Sequence, residues 1–308
     1  MRLIVLGSAA GGGFPQWNCG CPNCAAVREK HVDFQPRTQD SIAVTAGVED
    51  GSFVLLNASP DVLEQIKQTP ALWPRSARHS PIRAIVLTNG DMDHVLGLFS
   101  LRESYPLALY ATEAVRRGLE ENAFLRTLQR FEGHLVWRNL ELGRDVDIRD
   151  AAGTPTGVRV RAFAAPGKLP VHLMGHGAPS AEDNVGLVLA GAAPGPSAAY
   201  LTACAHLDRP ADLEGHAVLL FDGTFYREDE LSRLGLSRAM AKDMAHLPID
   251  GEQGSLARLA KLARPAGARI VYTHVNNTNP ILSRASRERQ TVLQAGFEIA
   301  FDGMEITL

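Results

Sequence analysis

The chain lacks an excess of either charge: 31 Lys and Arg stand against 34 Asp and Glu among 308 residues, a formal net charge of −3. That balance excludes a nucleic-acid partner recognised by bulk charge. No apolar run approaches the ~18 residues that a membrane-spanning helix needs. The opening stretch Arg2-Leu3-Ile4-Val5-Leu6 is too short for a secretory apolar region and runs directly into glycine. It reads as a first buried strand, and a cytoplasmic protein is expected. Pro/Ser linkers, short-period repeats and low-complexity tracts are also lacking, so one domain over residues 1–308 is expected. Cysteine is scarce, with four in the chain, and their placement excludes a disulfide framework. Cys19, Cys21 and Cys24 crowd into one short loop while Cys204 stands alone. Three thiols so close together read as metal ligands in a reducing compartment.

What is present is an alternation of short β-rich runs and helical stretches. Strands are expected at 2–6, 42–48, 53–57, 83–88, 156–163, 185–190, 199–203, 217–221, 269–273 and 297–301. Several are continuous apolar runs, as in strands covered on both faces. Helices are expected over 112–131 and 282–295, and around Leu256, Leu259 and Leu262, whose stripe is ended by Pro265. Periodicity carries the fold class to α/β and no further.

Two clusters carry chemistry. In Asn18-Cys19-Gly20-Cys21-Pro22-Asn23-Cys24, a Gly/Pro-shaped loop of about residues 18–24 brings three sulfurs to one point, as Zn²⁺ prefers. A closed shell makes such a zinc structural, with a fourth ligand from elsewhere in the chain. The second cluster follows the apolar run 84–88: Asn89-Gly90-Asp91-Met92-Asp93-His94, with an apolar helix directly after it. Side chains at the carboxyl end of a buried strand are held rigidly at the mouth of a fold. Helix capping accounts for one aspartate, but not for two plus His94.

This strand–loop–helix resembles the metallo-β-lactamase superfamily, whose signature here is Thr-His-x-His-x-Asp-His-x-x-Gly. Thr88, Asp93, His94 and Gly97 match it, and Asn89 and Asp91 stand where the two leading histidines would be. Gly7-Ser8-Ala9 with the cysteine loop, and Ser59-Pro60-Asp61-Val62 with Gln65, resemble the branch containing the phosphonate-pathway cyclic phosphodiesterase. The variant Asn-Gly-Asp-Met-Asp-His, with Thr273-His274-Val275-Asn276-Asn277-Thr278-Asn279-Pro280, is similar to the coenzyme PQQ synthesis protein B family over essentially the whole chain. The resemblance implies an αββα sandwich, two mixed β-sheets between helical layers.

It also implies a changed metal site. In a dinuclear member the first metal takes the two leading histidines, a distant histidine and a bridging aspartate. Asn89 is a poor substitute for imidazole and Asp91 a weak ligand for a soft-leaning metal. Ala203 stands where the bridging aspartate would end a strand, and Asp222, after the run 217–221, is a neighbouring candidate. The second position survives. Asp93, His94 and His274 offer one carboxylate and two imidazoles, the set associated with non-haem Fe(II) and O₂, with Zn or Mn as alternatives. Either His274 or Asn277 completes the structural zinc shell; if His274 does, His246 or Asp222 serves the active metal. His246 also occupies a loop where relatives place a substrate or acid–base histidine. Lys168, His172 and His176 default to solvated loop residues, and Cys204 to a small buried hydrophobe.

The family likeness implies a role in making pyrroloquinoline quinone (PQQ), which is built from a Glu and a Tyr of a small peptide. The expected reaction is Fe(II)-dependent hydroxylation of the tyrosine ring in a cross-linked Glu–Tyr precursor, with Asp93, His94 and His246 as catalytic residues. The expected partners are that precursor and O₂, with other proteins of the pathway or a second copy in a homodimer also allowed. Two readings compete: a two-metal hydrolase of phosphodiesters or peptides, and a non-catalytic carrier helping PQQ or its precursor towards export. Metal count discriminates the first and O₂ consumption the second.

Overall fold

The computed structural model describes all residues except 48–50, 104, 174–177 and 208–209. Val48, at the end of one expected strand, and His176 lie outside the described residues. Seven strands make the first sheet: β1 (Arg2–Gly7), β2 (Ser41–Thr45), β3 (Phe53–Leu56), β4 (Ile82–Val86), β5 (Leu107–Ala111), β6 (Leu135–Asn139) and, on the edge beside β1, β14 (Glu305–Thr307). The second contains β7 (Asp145–Arg149), β8 (Pro155–Ala164), β9 (Val185–Gly191), β10 (Ala198–Leu201), β11 (Val218–Asp222), β12 (Arg269–Thr273) and β13 (Glu298–Ile299), in sequence order across the sheet. Each sheet is mixed. The pairings from β3 to β6 and from β10 to β13 are parallel, and the others antiparallel.

The continuous apolar runs are explained by burial on both faces. Within β1, Leu3 and Val5 face the other sheet while Ile4 and Leu6 face the helical layer. Between the sheets, Val54, Val86 and Leu56 share a core with Val160, Leu189 and Leu220. Outside the first sheet, Leu55 and Ile85 pack against Val62, Val95 and Val115. Outside the second, Leu219, Phe221 and Tyr272 pack against Leu259 and Val292. Helix, sheet, sheet, helix: this is the αββα sandwich of the metallo-β-lactamase fold. No helix among the described residues is long and apolar enough to cross a membrane.

Four strands were not expected from the sequence. β7 carries polar residues at alternate positions, and β6 offers only Leu135, Val136 and Trp137 before Arg138 and Asn139; both are half-buried at best on most of their length. β14 has three residues. β5 is apolar throughout, but abuts the stretch expected as a helix. That stretch, 112–131, is a helix only over Glu113–Glu120; Asn122 then caps a separate 3₁₀ turn, Ala123–Thr127. The expected helix 282–295 shrinks to Arg287–Gln294, started by the Ser286 side chain accepting from the Arg289 amide. The stretch before Pro265 shrinks likewise, to Ser255–Leu259.

The parallel strands β4, β11 and β12 direct their carboxyl ends to one mouth, the usual ligand position in such sheets. After β4 the chain makes one helical turn, Met92–Val95, and a 3₁₀ turn, Leu96–Ser100. These turns lean on the segment after β3: the Ala58 amide donates to the His94 carbonyl at 2.7 Å, and the Gly97 amide to the Ala58 carbonyl at 2.9 Å. A Cβ at Gly97 would lie 2.1 Å from the Ser59 carbonyl oxygen and 2.8 Å from that of Ala58. Backbone, not a flexible side chain, would have to move. Gly97→Ala is therefore expected to lose about 1–3 kcal/mol of stability, as overpacking does, and to weaken metal binding through His94. Denaturant unfolding and metal titration check this; wild-type values for both would refute the tight fit.

Candidate metal centre

At the mouth lies a cavity of about 380 Å³ whose walls include Asn89, Asp93, His94, Ala203, His246 and His274. His94 is 1% exposed. Its Nδ1 lies 2.9 Å from Asn89 Oδ1, and that oxygen also accepts from the Asp91 backbone amide at 3.0 Å. Asn89 Nδ2 in turn donates to Asn184 Oδ1 at 3.2 Å, and Asn184 Nδ2 to the Ala203 carbonyl at 2.9 Å. An amide oxygen only accepts, so His94 Nδ1 carries the proton and Nε2 holds a lone pair. That Nε2 is buried without a hydrogen-bond partner among the described residues, 3.8 Å from Asp93 Oδ2.

His274 is bound in the same manner. Its Nδ1 lies 2.9 Å from Thr224 Oγ1, whose hydroxyl is 2.6 Å from Asp222 Oδ1, and its Nε2 lies 3.2 Å from Asp93 Oδ2. The residue takes a φ of 54°, which costs a non-glycine residue about 1–2 kcal/mol. The Thr224 hydroxyl also lies 3.0 Å from the His274 carbonyl, holding backbone and ring together. His246 completes the set, with Nδ1 2.7 Å from Asp222 Oδ2 and its ring stacked 5.7 Å from that of His274.

Asp93, His94 and His274 offer ligand atoms that all lie within 4.8 Å of one another. A buried, unpartnered imidazole nitrogen aimed at a carboxylate is what a divalent cation fits. Burial opposes the charge on Asp93, but His94 and His274 outweigh it and hold the carboxyl well below the usual range. Burial likewise opposes the charge on His274, yet the Asp93 hydrogen bond and charge, with Asp40 and Asp222, raise it to about 9. Burial lowers His94. Without metal, then, the proton on His274 is the cation of this site. Metal must displace it, because a ligating imidazole is neutral. Affinity is expected to rise with pH on the order of tenfold per unit, for one proton released, and to level off near pH 9, where His274 loses that proton unaided. Calorimetry in buffers of different ionisation enthalpy reads the released proton; a flat affinity between neutral pH and 9 would sink the assignment.

The thiol cluster stands apart. Cys19, Cys21 and Cys24 are buried with their sulfurs within 4.8 Å of one another. The Asn277 amide nitrogen lies 3.2, 3.7 and 3.3 Å from them in that order. Of the two alternatives for the fourth position, Asn277 reaches the thiols and His274 lies in the cavity. A half-turn of the amide exchanges nitrogen for oxygen, so three thiolates and an amide oxygen are available to one Zn²⁺. Burial pushes the Cys21 thiol up to about 12, a penalty that a bound cation removes. Cys21→Ser is expected to lower zinc content and melting temperature together; full zinc with unchanged melting would rule the site out.

The remaining expected residues are placed as follows. Asp91 lines the cavity, but its carboxylate is not among the clustered ligand atoms. Asp222 falls within ligand distance of His246 and His274, yet both its oxygens already accept, from the Cys204 and Thr224 amides, the Thr224 hydroxyl and His246. It orients histidines rather than offering a free oxygen. Lys168, half-buried, and His172, exposed as expected, both stand on the cavity wall and neither joins a ligand cluster among the described residues. Thr224, Asn184 and Asn57 were not found from sequence. Asn57 Oδ1 accepts from the Thr88 hydroxyl behind His94. Only Thr224 had a signal, standing two residues after Asp222 at a strand's end.

Comparison with known proteins bears on the fold and the family. A family model described as Beta-lactamase superfamily domain matches residues 53–275. Coenzyme PQQ synthesis protein B of Rhizobium meliloti (strain 1021) is 43% identical over 314 residues, covering 100% of this chain and 98% of that protein. The protein of the same name from Methylobacterium sp. (strain 4-46) is 42% identical over 315 residues, with 100% of both covered. The chain belongs to the coenzyme PQQ synthesis protein B family. A solved structure of Zn²⁺-bound PqqB from Methylobacterium extorquens superposes with a TM-score of 0.91 at 38% identity, covering 100% of each chain. Family membership thus comes with a metal-bound relative of the same fold. A diphosphatase of the PhnP family, at 20% identity and a TM-score of 0.66 over 100% of this chain and 97% of that one, shares the fold.

Proposed function

We propose that this protein acts in PQQ biosynthesis as an Fe(II)- and O₂-dependent hydroxylase of the tyrosine ring in a cross-linked Glu–Tyr precursor, in the cytoplasm. One observation carries the reading: the residues that hold a first metal in hydrolytic relatives are engaged otherwise here. The Asn89 amide is bonded to His94 and Asn184, and Ala203 has no carboxylate to bridge with. What is left is a mononuclear set, Asp93, His94 and His274, open to the cavity. An iron ion held by these three would activate O₂ for ring hydroxylation, in which one oxygen atom enters the ring and the other leaves as water with two electrons from an external reductant. Two-metal hydrolysis, by contrast, requires the partner ion that these substitutions remove.

The protein's own groups supply binding and proton handling. His246 is tied through Nδ1 to the buried Asp222, which leaves Nε2 as the atom able to hold or take a phenolic proton from a bound ring. Lys168 and Asp91, both on the cavity wall, offer opposite charges to the carboxylate and ammonium of an amino-acid substrate.

Anaerobic reconstitution with Fe(II), then O₂ and a small-molecule reductant such as ascorbate, with mass spectrometry of the ring-hydroxylated precursor, tests the reading. Asp93→Ala and His94→Ala are expected to lose metal and turnover with the fold intact. Asn89→His combined with Asp91→His is expected to gain metal at the first position and lose hydroxylation. Hydroxylation that increases with a second metal would mean a two-metal reaction, and precursor binding without O₂ consumption would mean a carrier.

A further inference from the structure

One wall of the cavity is set from behind by a relay of three side chains. Asn276, just past β12, lines the cavity. Its Nδ2 donates to Thr278 Oγ1 at 2.6 Å, and the Thr278 hydroxyl donates to Glu230 Oε1 at 2.5 Å. The other Glu230 oxygen accepts from the Tyr226 backbone amide at 2.8 Å. Glu230 is 5% exposed, and neither it nor Thr278 is among the residues lining the cavity.

The direction of each bond follows from what these groups can donate. A carboxylate only accepts, so the Thr278 proton points at Glu230 and its lone pair at Asn276. Asn276 must therefore turn its nitrogen to Thr278, which leaves its oxygen as the amide's free end. Among the described residues that Oδ1 has no protein donor. An acceptor held without a partner on a cavity wall selects a ligand that brings a donor.

We infer that Asn276 is a substrate-recognising acceptor for an N–H or O–H group, and that Glu230, acting through Thr278, is the positioning residue that sets this polarity. The identity of the substrate rests on the function proposed above: its phenol or its ammonium supplies the donor.

The relay can be inverted without touching the cavity. In Glu230→Gln, the carboxamide oxygen must stay on the Tyr226 amide, so its NH₂ faces Thr278 and donates. The Thr278 hydroxyl then donates to Asn276, which turns its oxygen away and shows its NH₂ to the cavity. Asn276→Asp in that background restores the acceptor, since one oxygen takes the Thr278 proton and the other faces the substrate. Asn276→Asp alone sets a carboxylate against the Thr278 lone pair and is harmful. Burial pushes Glu230 up to about 7, so the measurements are made above that pH. With the iron-loaded enzyme, E230Q is expected to raise KM for the precursor roughly tenfold, the effect of one mismatched buried hydrogen bond. Little change in kcat is expected. The double variant is expected to return to within roughly twofold of wild type, although each single variant is impaired. A precursor analogue lacking the phenol hydroxyl tells the two donors apart: it is insensitive to E230Q if the phenol is the donor and remains sensitive if the ammonium is. Thr278→Val, which cuts the relay, is expected to raise KM less than E230Q.

Neutron diffraction on deuterium-exchanged wild type and E230Q reads the Asn276 amide directly and needs no substrate. An unturned amide in E230Q overturns the relay whatever the substrate proves to be. A turned amide with unchanged KM for the precursor overturns the recognition role. A turned amide in a protein that neither binds nor hydroxylates the precursor upholds the relay and rejects the proposed substrate.

Discussion

The buried carboxylate of Asp222 is the constraint on which the rest of the site depends. It ends β11 with no exposure, and accepts from the backbone amides of Cys204 and Thr224, the Thr224 hydroxyl and His246 Nδ1. Burial opposes its charge, but His246 outweighs burial and keeps the carboxyl below its usual range. One anion thereby fixes the exits of β10 and β11, aims one histidine directly, and aims His274 through Thr224. Charge-assisted bonds of this kind are about twice as strong as neutral ones. A partly satisfied carboxylate here would be costly, and four donors meet that demand.

The three histidines share one design. Each is tied at Nδ1, to Asn89, Thr224 or Asp222, leaving Nε2 to the cavity; such partners set both tautomer and ring angle. Asn89 shows how a lost ligand becomes something else. An imidazole at that position would offer a lone pair to a metal, whereas the amide bridges His94 and Asn184 and stiffens the surviving position. Under the proposed function this substitution does more than delete an ion. It converts part of a first metal shell into the support of the other.

What the sequence disclosed was local. Cys19, Cys21 and Cys24 are neighbours in the chain, and Asp93 and His94 adjoin at a strand's end, so their convergence needed no tertiary knowledge. Both-face burial made most central strands legible as apolar runs. β6 and β7 were not: β7 alternates polar with apolar residues and β6 has only three apolar residues in a row, too weak a pattern for half-buried strands. The pairs that arm the site are non-local: Asn89 with Asn184, Thr224 with His274, Asn57 with Thr88. Nothing in a neutral amide or hydroxyl marks it for a partner thirty or more residues away, and these groups meet only because β3 pairs with β4, β11 pairs with β12, and Asn89 bridges to Asn184 of the facing sheet. The choice between His274 and Asn277 for the thiol site was undecidable for the same reason, since three residues of chain past β12 separate two different surroundings.

That short segment is also where the two metal positions meet. His274 faces Asp93, Asn276 lines the cavity, and Asn277 reaches into the thiols. The Asn23 side chain, from the cysteine loop, donates to the carbonyls of Asn277 and Asn279 at 3.1 and 3.0 Å. Asn279 in turn donates to the Gly223 carbonyl at 2.9 Å, one residue beyond Asp222. The thiol loop therefore clamps the far end of a segment whose near end carries a metal-site imidazole held at positive φ. A backbone in that region persists only when its surroundings over-determine it. The thiol loop supplies part of that over-determination, which is a physical reason for a closed ligand cluster to lie so near the cavity.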